Sequence, residues 1–227
     1  MKQCLAGLFF LFSLVSIAQS NPENTTETKG KIKEMTAIIA TEPTAENYYS
    51  RGFLSYNVGD YKNALADYDL AIKMQPEEFD YYHSRGMLKD KMNDFKGAAD
   101  DYTVCIMLNG TSAKAYFNRA FTKSKLDDYY GAIADYTECI TINPKYFTAY
   151  QNRGIARQRQ RLHEEAISDF TAVIHLNPKF YEAVLSRALS KAILNQSGAL
   201  DDFNLAISIE PNGAVLQSRV VFYQLQN

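Results

Sequence analysis

Five arginines recur along this chain at a fixed interval, and they are the side chains best suited to bind an anion. They are Arg51, Arg85, Arg119, Arg153 and Arg187, each 34 residues after the one before. A guanidinium group binds a carboxylate through two parallel hydrogen bonds, so such a row could recognise an acidic ligand. Each arginine is also followed by an aspartate at a nearly constant distance, and these acids are Asp67, Asp101, Asp135, Asp169 and Asp202.

Two hypotheses explain this repeated charge pair. In the first, the arginines recognise carboxylates of a ligand. In the second, they form ion pairs that fix the register of neighbouring helices, either within one repeat unit or between Asp67 and Arg85 of the next unit. We favour the second because every arginine has its own acid. Exposed ion pairs contribute only about 0–1 kcal/mol each, so we expect Tyr136→Ala to reduce stability more than Arg119→Leu.

Other residues that could do chemistry do not form a known constellation. The histidines are His83, His163 and His175, and His163 lacks the second histidine four residues later that the zinc-protease helix requires. No cysteine pair has metal-ligand spacing, and no phosphate-binding loop or nucleophile elbow occurs. The sequence therefore predicts neither an enzyme nor a cofactor or metal site.

The elements that position the arginines repeat with the same period. Four of the arginines follow an aromatic residue by three positions and all five precede glycine or alanine, while Val184 replaces the aromatic in the fifth copy. Further along each unit an alanine is followed four residues later by an aromatic, as in Ala132 and Tyr136, and then by a helix breaker. Residues at i and i+4 share one helix face. The pattern predicts helical hairpins in which an aromatic side chain of the second helix enters a gap beside glycine or alanine on the first. The breakers are Pro76, Gly110, Pro144, Pro178 and Pro211.

This spacing resembles the tetratricopeptide repeat family, over about Ala45 to Pro211. The resemblance implies an all-α fold: a right-handed α-solenoid of five helical hairpins with N- and C-terminal capping helices. The departures are Gly110 in place of the usual proline, the lost aromatic at Val184, and a fifth unit that is one residue shorter in its internal turn. The predicted hairpins are 45–78, 79–112, 113–146, 147–180 and 181–213.

The two ends of the chain carry other signals. Residues 1–18 have a positive start and an uncharged apolar run ending in small residues, which is typical of a signal peptide. The alternative is an uncleaved anchor, but the run is shorter than the roughly 20 residues that a spanning helix needs. We therefore predict an exported protein, periplasmic or secreted, without stable membrane insertion. A flexible polar linker is predicted at 19–30, an N-terminal capping helix at 31–44 and a C-terminal capping helix at 214–227.

The charge balance of the chain bears on the kind of partner that it can bind. The chain has 24 Lys+Arg against 26 Asp+Glu, which argues against a nucleic-acid partner.

Cys105 and Cys139 occupy the same place in successive repeats. Stacked helices lie about 8–10 Å apart, whereas a disulfide needs Cα atoms within roughly 7 Å. We interpret both cysteines as small buried apolar residues.

The resemblance implies that this protein functions through a binding surface formed by its repeats. In tetratricopeptide proteins the first helices of successive hairpins line a concave groove that takes extended peptides or partner helices. The alternative for any one of these positions is that it only packs against the adjacent repeat. The groove residues implied here are Tyr49, Phe53, Tyr56, His83, Met87, Phe117, Phe121, Gln151, Ile155, Leu185 and Leu189. The carboxylate clamp of chaperone-binding members is disfavoured because Tyr49 and Phe53 stand where that clamp has lysine and asparagine, although Lys114 and Asn118 match part of it.

Two hypotheses for function follow. The first is a non-enzymatic scaffold or adaptor that binds a protein or peptide in the groove. The second is a structural subunit of a larger envelope or extracellular assembly. The predicted C-terminal helix is apolar around Arg219, its one charge, which suggests a homodimer contact or a docking surface there.

Overall fold

The computed structural model describes residues 22–211 and, beyond them, residues 213, 216, 217, 219 and 220. In this part of the chain there are eleven α-helices and no strand, so the predicted all-α repeat solenoid is confirmed. The helices are α1 (Pro22–Thr41), α2 (Ala45–Asn57), α3 (Tyr61–Met74), α4 (Phe79–Lys91), α5 (Phe95–Leu108), α6 (Ala113–Lys125), α7 (Tyr129–Ile142), α8 (Phe147–Arg159), α9 (His163–Leu176), α10 (Tyr181–Ile193) and α11 (Ala199–Ile209).

The helices pair in chain order. Hairpins 1 to 5 are α2/α3, α4/α5, α6/α7, α8/α9 and α10/α11, and each first helix from α4 onward also packs against the second helix of the preceding hairpin. Helix α1 packs against α2 in the same way. Each hairpin therefore contacts mainly its neighbours, as expected for a solenoid.

The turn inside each hairpin has a left-handed residue one position after the C-cap of the first helix, and the turn of hairpin 5 has a second one at Gly198, with φ 81°. Gly59 takes this conformation with φ 80°, and Asn93, Asp127, Arg161 and Asn195 take it with φ between 53° and 62°. In the first three hairpins the next residue is an aspartate whose side chain accepts a hydrogen bond from a backbone N–H in the first turn of the second helix. Hairpin 4 has Leu162 there, so α9 begins without a side-chain cap.

The centre of each hairpin is an aromatic ring packed against a small residue. The rings, which are at most 1 % exposed, are Tyr68, Tyr102, Tyr136, Phe170 and Phe203. A Cβ atom added to Gly154 would lie 2.6 Å from Cε1 of Phe170, so the ring lies directly on the backbone of the first helix. This confirms the predicted packing of an aromatic side chain into the gap beside glycine.

The N-terminal part differs from the sequence prediction. A flexible linker was expected up to residue 30, followed by a capping helix over 31–44, whereas α1 already begins at Pro22 and ends at Thr41. Proline is tolerated in the first helical turn because no intrahelical partner exists for its missing N–H. Lys31 donates to Glu27 at 2.6 Å, an i,i+4 pair that links the polar stretch to the rest of the helix. The linker prediction is therefore wrong for residues 22–30.

Further predictions concern the two ends of the chain, membrane insertion and the cysteines. The predicted signal peptide lies outside the described residues, as does most of the predicted C-terminal helix. None of the helices in the described part of the chain combines the length and the apolar character that a membrane span requires. Cys105 and Cys139 are buried and free, as predicted, and burial raises the pKa of the Cys105 thiol to about 12.

Candidate functional site

Each repeated arginine forms a two-point ion pair with the aspartate of its own hairpin. In hairpin 3, Nε of Arg119 donates to Oδ2 of Asp135 at 2.8 Å, and Nη2 donates to Oδ1 at 2.7 Å. The same pairing occurs in the other four hairpins. The five aspartates are at most 5 % exposed. The within-hairpin pairing predicted from the sequence is thus confirmed.

The same arginines also contact the preceding hairpin. Nη1 of Arg119 donates to Oγ1 of Thr103 on α5 at 3.1 Å, and Arg153 and Arg187 make the equivalent bond one and two hairpins later. In hairpin 2 the acceptor is Asp69, which pairs with Arg85 at 2.6 Å. The Asp67–Arg85 pair considered above is therefore wrong, because Asp67 is held by Arg51.

This geometry favours a structural role for the arginines. Each one joins three helices, and four of them also lie over the tyrosine three residues earlier, at 5.5–5.8 Å from the ring centroid. Their guanidinium groups are therefore committed to internal partners on several sides. The structure therefore favours the second hypothesis, in which the arginines fix the register of neighbouring helices, over recognition of ligand carboxylates.

A second cation joins the pair in hairpins 2 to 5. It lies one helical turn after the arginine, and its partners are the same buried aspartates. The pairs are Lys89–Asp101, Lys123–Asp135, Arg157–Asp169 and Lys191–Asp202, at 2.7–2.9 Å. Hairpin 1 has the buried Ser55 at that position. Sequence reasoning missed this cation, although its spacing of four residues after four of the five arginines was readable.

The predicted groove residues separate into two rows. The first row packs between neighbouring hairpins. Tyr49 and Phe117 are half-buried, whereas His83, Gln151 and Leu185 are buried. The ring of Tyr49 lies 4.8 Å from that of Tyr81 in the next hairpin. For this row the alternative of packing against the adjacent repeat describes the structure better than an open binding face.

The second row is exposed. We call it the apolar stripe; its members are Phe53 (49 % exposed), Met87 (37 %), Phe121 (40 %) and Ile155 (36 %). They occupy one equivalent position on α2, α4, α6 and α8. The remaining predicted residues do not extend the row, because Tyr56 is half-buried against Tyr61 and Leu189 packs in the core of hairpin 5.

Hydrogen bonds join neighbouring first helices beneath the stripe. The Tyr49 hydroxyl and Ser84 Oγ are 3.0 Å apart, and Nδ2 of Asn118 lies 3.0 Å from Nε2 of His83. Oγ1 of Thr122 donates to Asp90 at 2.8 Å. These bonds have no periodic signal in the sequence, because the polar partners differ from one hairpin to the next.

A shallow depression opens at the start of the stripe. It has a volume of about 350 Å³ and is lined by Tyr49, Ser50, Phe53 and Leu54. Among the described residues no group of three or more histidine, cysteine or acidic side chains is arranged to hold a metal ion. What the first helices offer is therefore an exposed apolar row with one depression at its N-terminal end.

Acid should destabilise the fold through His83. Burial, with the charge of Lys114 second, lowers the pKa of His83 from 6.5 to about 4. As the pH falls, the unfolded chain is protonated first, so stability present above about pH 6.5 is lost towards pH 4. We expect a loss of about 3 kcal/mol from this residue, at about 1.36 kcal/mol per pKa unit. Denaturant titrations of the wild type and His83→Phe across this range check it; parallel pH profiles would contradict it.

Gln151 should be replaceable by leucine with a gain in stability. Its side chain is buried, and its Oε1 accepts no hydrogen bond from any residue that the structure describes. An orphaned buried acceptor is unfavourable by about 1–3 kcal/mol, so Gln151→Leu is expected to raise the free energy of unfolding by about 1–2 kcal/mol. Gln158→Leu is the control and should lower it, because Gln158 donates to Ser190 Oγ at 2.7 Å. Chemical denaturation measures both.

Comparison with known proteins agrees with the repeat architecture. Residues 45–78 and 113–146 each match a family model described as tetratricopeptide repeat. No curated protein is significantly similar to the chain.

Solved structures with the same fold include the C-terminal part of a TPR repeat-containing protein from Cytophaga hutchinsonii. It is 17 % identical with a TM-score of 0.78, over 90 % of this chain and 86 % of that one. YrrB, a TPR protein with an unusual peptide-binding site, is 21 % identical with a TM-score of 0.72, over 82 % and 97 %. At these identities the likeness concerns the fold.

A third structure holds a ligand. The first TPR of Spaghetti (RPAP3), bound to the HSP90 peptide SRMEEVD, is 25 % identical with a TM-score of 0.51. The match covers 53 % of this chain and 95 % of that one.

Proposed function

We propose that this chain, which carries tetratricopeptide repeats, is a non-enzymatic scaffold or adaptor that binds a peptide or a partner protein along its first helices. Such repeats generally mediate protein or peptide binding. The observation that carries the proposal is the apolar stripe, in which four successive hairpins expose a large apolar side chain at the same position.

The arrangement of these side chains supports a binding role. Exposed apolar residues scattered singly are normal on a protein surface, whereas contiguous rows mark interaction sites. Burying one such side chain fully is worth roughly 1.5–3 kcal/mol. The stripe side chains are 36–49 % exposed in the free protein, so each can contribute only part of that value, and association requires contact with several members of the stripe together.

The ligand of the Spaghetti repeat is compatible with this proposal but does not identify the ligand here. That structure holds a peptide on repeats related to these ones. In this chain Tyr49 is half-buried in contact with Tyr81, and Phe53 is exposed and apolar. These two residues offer an apolar contact where the carboxylate clamp would have charged and polar groups.

We further propose that the chain acts outside the cytosol. The support is the sequence of residues 1–18, which has the charge and apolar pattern of a signal peptide. Mass spectrometry of the N-terminus of the protein made in its native host is the direct test. A mature protein that starts after Ala18 or Ser20 supports export, and an intact Met1 contradicts it.

A peptide array followed by titration tests the binding proposal. The double variant Phe53→Ala/Phe121→Ala should abolish binding of the selected peptides. Tyr130→Ala is the matched control, because Tyr130 is an exposed aromatic on the second helix α7. Phe117→Ala is unsuitable, since the Phe117 ring packs 4.9 Å from Tyr146 and its loss would disturb the fold.

The outcomes separate the two hypotheses for function. Loss of binding in the stripe variant alone supports the groove. A partner that co-purifies equally with both variants favours the alternative, a structural subunit held by other faces of the solenoid. If no peptide binds the wild type and no partner depends on the stripe, the proposal is wrong.

A further inference from the structure

We propose that copies of this chain assemble head to tail: the C-terminal segment of one copy docks on α1 of the next copy, and the two form a hairpin together. The C-terminal segment means the helical residues Gly213, Leu216, Gln217, Arg219 and Val220. This inference goes beyond ligand binding and does not depend on what the apolar stripe binds. It rests on an acid on α1, an arginine in the C-terminal segment, and the sizes of the side chains that would meet.

Helix α1 makes the contacts of the second helix of a hairpin. Thr36 on α1 accepts a hydrogen bond from Nη1 of Arg51 at 3.3 Å. Thr103 on α5 accepts the same bond from the arginine of hairpin 3 at 3.1 Å. Thr36 lies seven residues before the helix breaker Pro43, and Thr103 lies seven residues before Gly110. Helix α1 therefore packs on α2 in the register that a second helix keeps with the next hairpin.

Glu34 occupies the place on α1 that the buried aspartates hold in the hairpins. It lies nine residues before Pro43, as Asp135 lies nine residues before Pro144. Each hairpin aspartate is held by the arginine of its own first helix, whereas residues 1–33 contain no arginine. Glu34 is exposed, and no ion pair between described residues includes it. Helix α1 thus presents the acid of a hairpin without its arginine.

The apolar part of the same face is open. Ile38 lies five residues before Pro43 and is 42 % exposed. Met35, at the place of the hairpin rings, is only half-buried. In the five hairpins the residue equivalent to Ile38 is fully buried, and these residues are Ala71, Cys105, Cys139, Val173 and Ala206. We call Glu34, Met35 and Ile38 the open face of α1. Its shape is the one that a first helix covers in every hairpin.

The C-terminal segment makes the contacts of a first helix. Nη1 of Arg219 donates to Oδ1 of Asn204 on α11 at 2.9 Å, as the hairpin arginines donate to the preceding second helix. Arg219 lies eight residues after Pro211, and Arg51 lies eight residues after Pro43. Within the described part of the chain, no acid forms an ion pair with Arg219. The segment thus presents the arginine that Glu34 lacks.

The sizes of the facing side chains point to α1 as the partner. The residue after each hairpin arginine is glycine or alanine, and it lies against an aromatic ring. A Cβ atom added to Gly52 would already lie 2.9 Å from Cε1 of Tyr68. Val220 follows Arg219 and is exposed, and the methyl groups of a valine at this place would overlap such a ring.

Helix α1 has room for this valine. Among the second helices that the structure describes, α1 alone has a residue other than an aromatic at the ring position, and this residue is Met35. Methionine is unbranched and flexible, so it adapts to an irregular neighbour. Leu216, one turn before Val220, is also exposed and would extend the apolar contact.

Lys31 is the departure from the hairpin pattern on this side of α1. It stands where hairpin 1 has the buried Ala64, twelve residues before the proline. Its Nζ is held by Glu27 at 2.6 Å, one turn nearer the start of α1. The aliphatic stem of a lysine can cover an apolar neighbour while its charged end stays in water, so Lys31 is compatible with a docked helix.

The proposed contact joins two different surfaces at opposite ends of the array. Such a contact is heterologous, and each copy can bind one neighbour at each end. Since docking continues the stacking of hairpins, the assembly should grow with concentration beyond a dimer. A contact between two C-terminal segments, in contrast, would be symmetric and would stop at the dimer.

Charge reversal tests the proposed ion pair. Sedimentation velocity of the protein recovered from its native host, over a concentration series, should show species that grow beyond the dimer. Glu34→Arg and Arg219→Glu should each weaken self-association about tenfold or more, because like charges then face each other. The double variant Glu34→Arg/Arg219→Glu restores the pair in reverse and should restore assembly, as should a mixture of the two single variants. Glu77→Arg, at an exposed acid between hairpins 1 and 2, is the control and should assemble normally.

A second pair of variants tests the fit of the side chains. Met35→Phe adds apolar surface, so it would strengthen association that is merely hydrophobic, whereas it should weaken the proposed contact by overlap with Val220. Val220→Ala in the same chain should restore assembly, since alanine is found beside an aromatic ring in hairpins 3 and 5. Circular dichroism establishes that each variant is folded.

The expected result is growth beyond a dimer that both single charge variants reduce and the double variant restores. A monomer at all concentrations would overturn the inference, and this is the outcome if residues 1–21 or another protein cover the open face. A dimer that does not grow and that Glu34→Arg leaves intact would also overturn it. Assembly that none of these variants changes must use another surface, and the inference is then wrong. None of these outcomes bears on binding at the apolar stripe, which the Phe53 and Phe121 variants test.

Discussion

Replacing Tyr136 by alanine is expected to lower the free energy of unfolding by about 3–5 kcal/mol, the range for removing a buried aromatic side chain. The ring is 1 % exposed and packs on Ala120, Ala132 and Cys139 in the core of hairpin 3. The Phe117 ring stands edge-on to it at 5.7 Å. Alanine would leave a cavity that rigid helix backbones on both sides cannot close.

Chemical denaturation followed by circular dichroism measures this loss, and Tyr130→Ala is the control. Tyr130 lies on the same helix but is 69 % exposed, so its removal should change stability by no more than about 0.5 kcal/mol. Hairpin 3 is in the middle of the array, where both neighbours depend on it. A loss below about 1 kcal/mol would show that the central ring does not hold the array together.

The period of the sequence was sufficient to predict the fold because the same contacts recur in every unit. Tyr68, Tyr102 and Tyr136 each meet a small residue on the first helix, and the constant separation between them can only arise if each hairpin has the same geometry. The pairing of Arg119 with Asp135 was predictable for a related reason. Residues at equal distances before and after a tight turn lie side by side on the two antiparallel helices of a hairpin.

The exposure of the groove residues was not predictable from the period alone. Phe117 and Phe121 are one helical turn apart, and both are aromatic. Yet Phe117 is half-buried against Tyr136 and Tyr146, whereas Phe121 is exposed. Which of them is covered depends on the rotation of one hairpin against the next, and the period of the sequence does not specify this rotation.

The extent of α1 was missed for a different reason. The stretch from Pro22 to Gly30 has little to bury, so composition favoured a linker. Its helix continues from the part that packs on α2, where Ile39 is buried. Thr36 there accepts a hydrogen bond from Arg51 at 3.3 Å, as Thr103 does from Arg119. Helix α1 thus takes the place of a second helix before hairpin 1.

Replacing Asp169 by asparagine is the second change with a large expected effect, and it should lower the free energy of unfolding by about 3–5 kcal/mol. Asp169 is 2 % exposed and is held by Arg153 and Arg157, both at 2.7 Å. The amide has nearly the same shape but no charge, so two largely buried guanidinium groups would lose their counter-ion. This is much larger than the contribution expected of exposed ion pairs, because the pair lies under the packed face of the hairpin.

Hairpin 1 provides the matched control for this prediction. Asp67 is equally buried but is held by Arg51 alone, since Ser55 replaces the second cation. Asp67→Asn leaves one positive charge without its counter-ion, whereas Asp169→Asn leaves two. The decrease in the free energy of unfolding should therefore be smaller for Asp67→Asn, at about 2 kcal/mol. Denaturant unfolding of both variants decides the point. Equal losses would mean that the second cation is held by solvent and not by the carboxylate.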